Sequence, residues 1–286
     1  MKELIVITGP TAVGKTSVVL ELAAKHGLEV ISCDSRQFYR EMNIGTAKPL
    51  PSELKRVPHH FINSLSVHEP YSAGTYEKEG LKVLSQCFEE KDQVLLTGGS
   101  GLYIKAICEG FDDFPDVDEN IIQALENQPL DELQNLLKRK DPLYYDEVDL
   151  LNQRRIVRAL SIIEVSGKPF SSFHKRKVSM RNFNIRYVVL ERDRSELYNR
   201  INDRVDVMMK MGLYEEVLSL YPHRNLKALQ TVGYQEIFAH IDGQTSLAEA
   251  VELIKRNTRR YAKRQLTWFR KWSEASWQHP SKEIEI

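Results

Sequence analysis

Short apolar runs alternate with amphipathic stretches over the first part of the chain. Apolar runs at residues 4–8, 28–33 and 93–97 have the length and the apolar content of buried strands. Helical spacing follows the first run at residues 16–26 and the third run at residues 102–109. Strands that alternate with helices form parallel sheets whose strands are joined by crossover helices. The pattern therefore predicts an α/β fold with a parallel sheet flanked by helices.

The pattern changes in the middle of the chain. An acidic, proline-containing segment at 112–118 precedes a helical block, and an apolar run at 186–190 then has the composition of a strand again. The helical block is predicted at residues 119–127, 130–140 and 152–166. Helices between two strands of one sheet indicate an insertion. We therefore predict a catalytic core at 1–112 and 185–286 and a small helical insertion domain at 113–184.

The segment between the first strand and the first helix is a phosphate-binding loop. It matches G-x-x-x-x-G-K-[ST], and its residues are Gly9, Pro10, Thr11, Ala12, Val13, Gly14, Lys15 and Thr16. Backbone N–H groups of such a loop point at a di- or triphosphate, and the lysine neutralises its charge. The Thr16 hydroxyl can bind Mg²⁺. The motif predicts phosphate binding and leaves open whether a phosphoryl group is transferred.

Polar residues also follow the other predicted strands, at the edge where parallel sheets bind ligands. The second strand is followed by Asp34, Ser35, Arg36 and Gln37. Asp34 has the chemistry of a general base, a Mg²⁺ ligand or a turn cap, and Arg and Gln can make bidentate contacts to bases. The third strand ends in a Gly-Gly turn before Ser100, without the carboxylate that holds magnesium in ATPases. This turn fits either a close approach to substrate or a plain strand-to-helix connection.

Composition bounds the partners and the compartment. The 286 residues carry 40 Lys and Arg against 40 Asp and Glu, so nucleic acid would have to bind a local basic patch. The three cysteines lack the number and spacing of a disulfide framework or a zinc motif. No apolar run is long enough to span a bilayer, and the first strand leaves no room for a signal peptide. We expect a cytoplasmic protein without membrane attachment.

Two helical segments supply candidate basic patches. Arg154 and Arg158 share one face of the last helix of the insertion, and residues 249–272 contain eight Lys or Arg against two Glu. Basic groups bind phosphates and aromatic rings stack bases, so RNA is a candidate partner. Solvated basic faces remain an alternative. Trp268 and Trp272, four residues apart, fit core packing better than base stacking.

His59 and His60 are a possible metal pair on a short extended segment. Neighbouring side chains on a strand point in opposite directions. The sequence places no third ligand at a suitable spacing from them. We therefore expect a structural or substrate-loop role for both histidines.

A series of motifs in order along nearly the whole chain forms a recognisable set. Besides the phosphate loop they occupy residues 34–37, 43–49, 57–60, 71–74, 98–103, 154–160, 232–236 and 262–270. Together they resemble tRNA dimethylallyltransferase, the isopentenyl-diphosphate:tRNA transferase family. The resemblance implies a P-loop NTPase-like core with a helical insertion. The sequence leaves the oligomeric state open, and we expect a monomer.

The resemblance also implies a reaction. A dimethylallyl group moves from dimethylallyl diphosphate to the N6 amine of the adenosine 3′ of the anticodon in the tRNA anticodon stem-loop. Asp34 would take the amine proton, and Lys15 and Thr16, with Mg²⁺, would stabilise the departing diphosphate. The implied tRNA-contacting residues are Asp34, Ser35, Arg36, Gln37, Ser100, Gln153, Arg154, Arg155, Ile156 and Val157.

Three other functions are compatible with parts of the sequence. One is a P-loop small-molecule kinase in which Asp34 activates a hydroxyl group. The second is a prenyltransferase that acts on free adenine nucleotides, and the third is an RNA-binding module whose loop senses a nucleotide. The missing acidic Mg²⁺ ligand and the basic C-terminal helix argue against the kinase, and a nucleotide prenyltransferase has less need of basic helices.

Overall fold

The computed structural model describes residues 1–173 and 179–285. The chain divides into two compact units, of which the first joins Met1–Cys108 to Arg181–Ile286 and the second is Glu109–Met180. The sequence predicts the insertion at 113–184. The second unit begins four residues before the predicted start and ends four residues before the predicted end. In the part of the chain that the structure describes, no helix has both the length and the apolarity to cross a bilayer.

The first unit is built on a six-stranded sheet. Its strands are β1 (Glu3–Thr8), β2 (Val30–Ser32), β3 (His59–His60), β4 (Gln93–Gly98), β5 (Asn184–Leu190) and β6 (Ser276–Gln278). The order is β3-β2-β4-β1-β5-β6, and every neighbouring pair is parallel. Leu4, Ile5, Val6 and Ile7 of β1, one of the two central strands, are all fully buried, as expected when helices cover both faces of a parallel sheet. The predicted α/β fold is confirmed.

The helices that follow β1 and β4 are those that the apolar pattern predicts at 16–26 and 102–109. The α-helices among the described residues are α1 (Lys15–His26), α2 (Pro51–Arg56), α3 (Ala73–Glu90), α4 (Gly101–Cys108), α5 (Glu119–Glu126), α6 (Leu130–Lys140), α7 (Pro142–Glu147), α8 (Gln153–Ser166), α9 (Phe170–Phe173), α10 (Arg194–Lys210), α11 (Leu213–Leu220), α12 (Gln235–Ile241) and α13 (Leu247–Phe269). On one side of the sheet, Ile5 and Ile7 join a core with Val19 of α1 and with Leu197 and Ile201 of α10.

The second unit has a hydrophobic core of its own, to which α5, α6 and α8 contribute. Ile156 and Ile162 on α8 are fully buried, as are Leu133 and Leu137 on α6. Apolar residues at helical spacing produce these faces, and the three helices predicted at 119–127, 130–140 and 152–166 correspond to α5, α6 and α8. Asn152 caps α8, because its side chain accepts a hydrogen bond from the Arg155 backbone N–H.

Several elements differ from the predicted ones: β3, β6, α2, α7 and α9 are not predicted from the sequence, and β2 and α3 differ as follows. The second strand, predicted at 28–33, covers only Val30–Ser32, because the Leu28 N–H bonds to the Ala23 carbonyl and completes the end of α1. Helix α3 (Ala73–Glu90) is not among the predicted elements. The Ser72 side chain caps its first turn by accepting a hydrogen bond from the Thr75 N–H.

Candidate active site

The phosphate loop connects β1 to α1 at the carboxyl edge of the sheet. Gly9 has a φ of +148°, and a Cβ there would lie 2.5 Å from the Leu190 carbonyl oxygen of the neighbouring strand. Gly14 has a φ of +113° where the loop enters α1. Both positions therefore require glycine. The loop residues of the sequence motif thus fold as the motif demands, with the start of α1 at Lys15.

Lys15 reaches back over the loop. Its Nζ donates to the carbonyl oxygens of Gly9 (2.9 Å) and Pro10 (3.0 Å). Burial lowers the pKa of Lys15 from 10.5 to about 8, and Arg204 acts in the same direction while Asp34 opposes it. A bound diphosphate would place negative charge beside the Lys15 ammonium group and so stabilise its protonated form.

Asp34 lies on the wall that two neighbouring cavities share. The first cavity, of about 500 Å³, is lined by Lys15, Thr16 and other residues of the phosphate loop. The second, of about 230 Å³, is lined by Ser35 and Arg36 and by apolar side chains of α10 and α13. A carboxylate at this boundary can meet a group bound in either cavity. Asp34 Oδ1 also accepts the Arg36 backbone N–H (3.0 Å), which holds the turn in place.

Three arginines that follow β5 in the chain, two of them on α10, lie against the phosphate loop. Arg192 and Arg200 donate from Nε to the carbonyl oxygens of Val13 (2.8 Å) and Ala12 (2.9 Å). Arg204 lies within 3.4 Å of the Thr11 hydroxyl and lines both cavities. No sequence motif pointed to these three arginines. Arg200 and Arg204, four residues apart on α10, share a helix face, and this spacing was the available signal.

A glutamine of α13 joins the phosphate loop to the Gly-Gly turn. Gln265 accepts the Thr11 backbone N–H (2.9 Å) and donates to the Gly99 carbonyl oxygen (2.9 Å). On the same helix, Tyr261 hydrogen-bonds Ser100 and lines both cavities. Burial and nearby Asp34 raise the pKa of Tyr261 to about 12, so its hydroxyl keeps its proton at neutral pH.

The predicted tRNA-contacting residues beside Asp34 bind protein groups in this structure. Arg36 Nη1 donates to the Ala228 carbonyl oxygen (2.8 Å), and Gln37 Nε2 donates to the carbonyl oxygens of Thr46 (3.1 Å) and Ala47 (3.2 Å). Their donors thereby position the loops around the cavities.

Ser35 and Ser100 are linked to each other. The Ser100 hydroxyl accepts the Ser35 backbone N–H and lies against the Ser35 hydroxyl, both at 3.2 Å. Asp34, Ser35, Arg36 and Ser100 are thus brought together at one site, as the positions of their strands predict.

The residues of the larger cavity suit a magnesium ion bound with a diphosphate. The Thr16 hydroxyl and the Asp34 carboxylate both line it, together with the carboxylates of Glu53 and Asp203. Oxygen donors of this kind are the ligands that Mg²⁺ prefers. The donor set therefore fits the ion.

Helix α8 exposes some of the predicted tRNA-contacting residues of the insertion and buries others. The side chains of Arg154 and Arg155 are exposed, and Gln153 donates to the carbonyl oxygen of Glu126 (3.2 Å). Ile156 and Val157 are buried in the core of the second unit, at 0% and 3% exposure. Ile156 and Val157 thus form the buried face of the amphipathic helix, so the predicted tRNA contact of this segment would fall to its exposed side chains and to its backbone.

The two tryptophans near the end of α13 are half-buried and pack against neighbouring residues. Trp268 lies so close to Gly101 that a Cβ on that glycine would be 2.3 Å from the indole nitrogen. Trp272 packs on Tyr187 (ring centroids 4.8 Å apart) and on Phe269 (5.2 Å). Both tryptophans therefore pack on protein groups, as expected, but each keeps an exposed part, so neither is a buried core residue.

Comparison with known proteins gives one consistent result. The family model described as IPP transferase matches residues 37–272. A tRNA dimethylallyltransferase of Christiangramia forsetii is 50% identical over 96% of this chain and 92% of that relative, and tRNA dimethylallyltransferase 1 of Bacteroides fragilis is 48% identical over 100% and 96%.

Solved structures agree with the sequence relatives. The tRNA isopentenylpyrophosphate transferase of Bacillus halodurans is 37% identical, with a TM-score of 0.72, and the match covers 97% of this chain and 90% of that one. A eukaryotic dimethylallyltransferase described as acting on tRNA is 28% identical, with a TM-score of 0.81 over 94% of this chain and 70% of that one. The chain belongs to the IPP transferase family.

Proposed function

We propose that the chain transfers a dimethylallyl group from dimethylallyl diphosphate to the N6 amine of the adenosine 3′ of the anticodon in tRNA. The observation that carries the proposal is the position of Asp34, on the wall shared by the cation-lined cavity and the second cavity. The names of the relatives support tRNA as the acceptor and do not support a kinase.

The chemistry assigned to the site is a displacement at carbon. The N6 nitrogen forms a bond to C1 of the dimethylallyl group, the C1–O bond breaks, and the diphosphate leaves intact. Asp34 accepts the proton that N6 loses. Lys15, Arg204 and the loop N–H groups stabilise the charge that develops on the departing oxygen, which is where an enzyme lowers such a barrier most.

Mg²⁺, held by Thr16 and the neighbouring carboxylates, would neutralise part of the diphosphate charge. Its requirement can be measured directly. Prenyl transfer should stop in excess chelator and return when Mg²⁺ is restored.

The acceptor base enters from the side of the second cavity in this proposal. An adenine inside a stacked loop cannot reach Asp34, so the nucleotide must leave its stack. The second cavity combines apolar walls with polar groups at Ser35 and Thr258, a lining that suits a base.

The protein acts as a monomer in this scheme, and light scattering of the purified chain with and without tRNA checks that.

Nucleoside mass spectrometry of tRNA after incubation with dimethylallyl diphosphate tests the function. We expect a mass gain of one dimethylallyl group on adenosine in unmodified tRNA and none on AMP. Asp34→Asn should retain tRNA binding and lose turnover, because the amide cannot take the proton. Transfer to AMP without transfer to tRNA would instead assign the enzyme to free nucleotides.

A further inference from the structure

The adjacent histidines of β3 face opposite sides of the sheet. His59 lines a small cavity with Lys15 and Asp34. His60 is the register partner of Ile31 on β2. Glu29 lies two residues before Ile31, so its side chain emerges on the same face as that of His60.

His60 and Glu29 meet a cysteine from α3. Glu29 Oε2 lies 2.6 Å from His60 Nε2, and Cys87 Sγ lies 3.8 Å from that oxygen and 3.7 Å from that nitrogen. Cys87 is buried, and the side chains of His60 and Glu29 are 34% and 25% exposed. A carboxylate, an imidazole and a thiol thus converge on one point that solvent ions can reach.

We propose that Glu29, His60 and Cys87 form a Zn²⁺ site, with water as the fourth ligand. Oxygen, nitrogen and sulfur are the three ligand types that zinc accepts. Tetrahedral zinc with bonds of about 2.0–2.3 Å keeps its ligand atoms roughly 3.3–3.6 Å apart. The two distances to sulfur already approach that range. The distance between oxygen and nitrogen has to lengthen by roughly 0.7 Å, which a rotation of the Glu29 carboxylate provides.

The charges around Cys87 explain how the site changes on loading. Burial, and then the nearby Glu29 carboxylate, raise the pKa of Cys87 to about 11, so the metal-free thiol is protonated. Zinc reverses this electrostatic effect because it forms a bond to the thiolate and releases the thiol proton to water. In the metal-free form the His60 and Glu29 side chains are hydrogen-bonded to each other.

The site is separate from the diphosphate site. Glu29 stands before β2 and Asp34 after it, five residues apart along extended chain, which is on the order of 16 Å. Zinc at this place ties the two-residue edge strand β3 to β2 and to α3. It would thereby fix the strand that presents His59 to the small cavity.

Titration of chelator-treated protein with Co²⁺, a spectroscopic substitute for Zn²⁺, tests ligation directly. We expect a thiolate-to-cobalt charge-transfer band in the near ultraviolet that saturates at one Co²⁺ per chain, and its loss when Zn²⁺ is added. Zn²⁺ at about 100 times its Kd should raise the Tm by roughly 5 °C. Absence of the band in the wild-type chain overturns the proposal without any variant.

Substitutions assign the ligands. Cys87→Ser should abolish the band and weaken Zn²⁺ binding by at least about 100-fold, since even an outer partner of a metal site is worth about 10- to 100-fold. Glu29→Gln should weaken binding while keeping the hydrogen bond to His60, which covers the case that Cys87→Ser unfolds. Cys108→Ser is the matched control, a buried cysteine on α4 outside the cluster, and should bind as the wild type does. Equal affinity in Cys87→Ser and wild type, or loss of the band in Cys108→Ser alone, refutes the site.

Discussion

At the scale of single residues, Arg204 is the strongest addition to the predicted site. It lines both cavities, lies beside Thr11 of the phosphate loop, and interacts electrostatically with Asp34. Burial lowers its pKa, but a guanidinium stays charged at any working pH. Arg204→Ala should lower kcat by about 100- to 1000-fold, the usual cost of one charge-stabilising donor. Single-turnover assays measure this.

Lys210→Ala is the control for Arg204→Ala. It removes a cation from the same helix at a position outside both cavities, and it should leave kcat unchanged. A normal kcat in Arg204→Ala would remove this arginine from the reaction.

The lowered pKa of Lys15 predicts an alkaline limb in the pH profile, that is, a fall in kcat/KM at high pH. With a pKa of about 8 in the empty site, Lys15 loses its charge as the pH rises through that value, instead of near 10.5. Binding of dimethylallyl diphosphate then weakens, so kcat/KM should fall above pH 8. The fall in kcat should come later, because bound diphosphate raises the pKa of Lys15.

Lys48 is the competing explanation for that limb, since burial also lowers its pKa to about 8. Arginine keeps its charge throughout this range, so Lys48→Arg should retain the limb if Lys15 causes it. Disappearance of the limb in Lys48→Arg would assign it to Lys48.

The same residues show how far the sequence leads. The phosphate loop and Asp34 could be placed because each is local: a motif beside a strand, and an acid at a strand end. Gln265 could not, since its partners Thr11 and Gly99 are far from it in sequence, and only the folded chain brings them together. The turn at Gly98–Gly101 does allow a close approach, but one of the groups that approach it is Trp268 of α13.

At the scale of elements, α11 holds the loop that covers the cavities. Glu216 accepts the backbone N–H groups of Asn43 (3.0 Å), Ile44 (2.7 Å) and Gly45 (3.0 Å), and also the Tyr234 hydroxyl (2.7 Å). The next loop residues, Thr46 and Ala47, line both cavities. One carboxylate therefore sets the position of a wall of the site.

Glu216→Gln replaces one carboxylate oxygen with an NH₂ group, so that some of these donors lose their acceptor. We expect a loss of about 1–3 kcal/mol in the free energy of unfolding, the cost of leaving a donor without its partner, and a higher KM for both substrates. Urea unfolding and steady-state kinetics measure the two effects. Glu215→Gln, at the exposed neighbouring position, is the control and should match the wild type in both. Unchanged kinetics in Glu216→Gln would show that the loop is held by other contacts.

At the scale of the whole molecule, the two units have different roles in the proposed function. The first unit contains the phosphate loop, Asp34 and both cavities, so dimethylallyl diphosphate should depend on it alone. The second unit has its own core and presents Arg154 and Arg155 to solvent. The chain as a whole carries no net charge, so tRNA affinity has to come from such local groups.

Removal of the charges at Arg154 and Arg155 tests this division. The double variant Arg154→Ala/Arg155→Ala should weaken tRNA binding, and the salt dependence of log K should decrease by about 1 for each phosphate that the variant no longer neutralises. The KM for dimethylallyl diphosphate should stay the same. Arg139→Ala/Lys140→Ala removes two charges from α6 and controls for net charge. If both double variants show the same fall in affinity and in salt slope, α8 has no specific role, and tRNA responds to the overall charge of the second unit. If only the α8 variant does, its first turn contacts the tRNA backbone, and the buried residues Ile156 and Val157 serve to aim those two arginines.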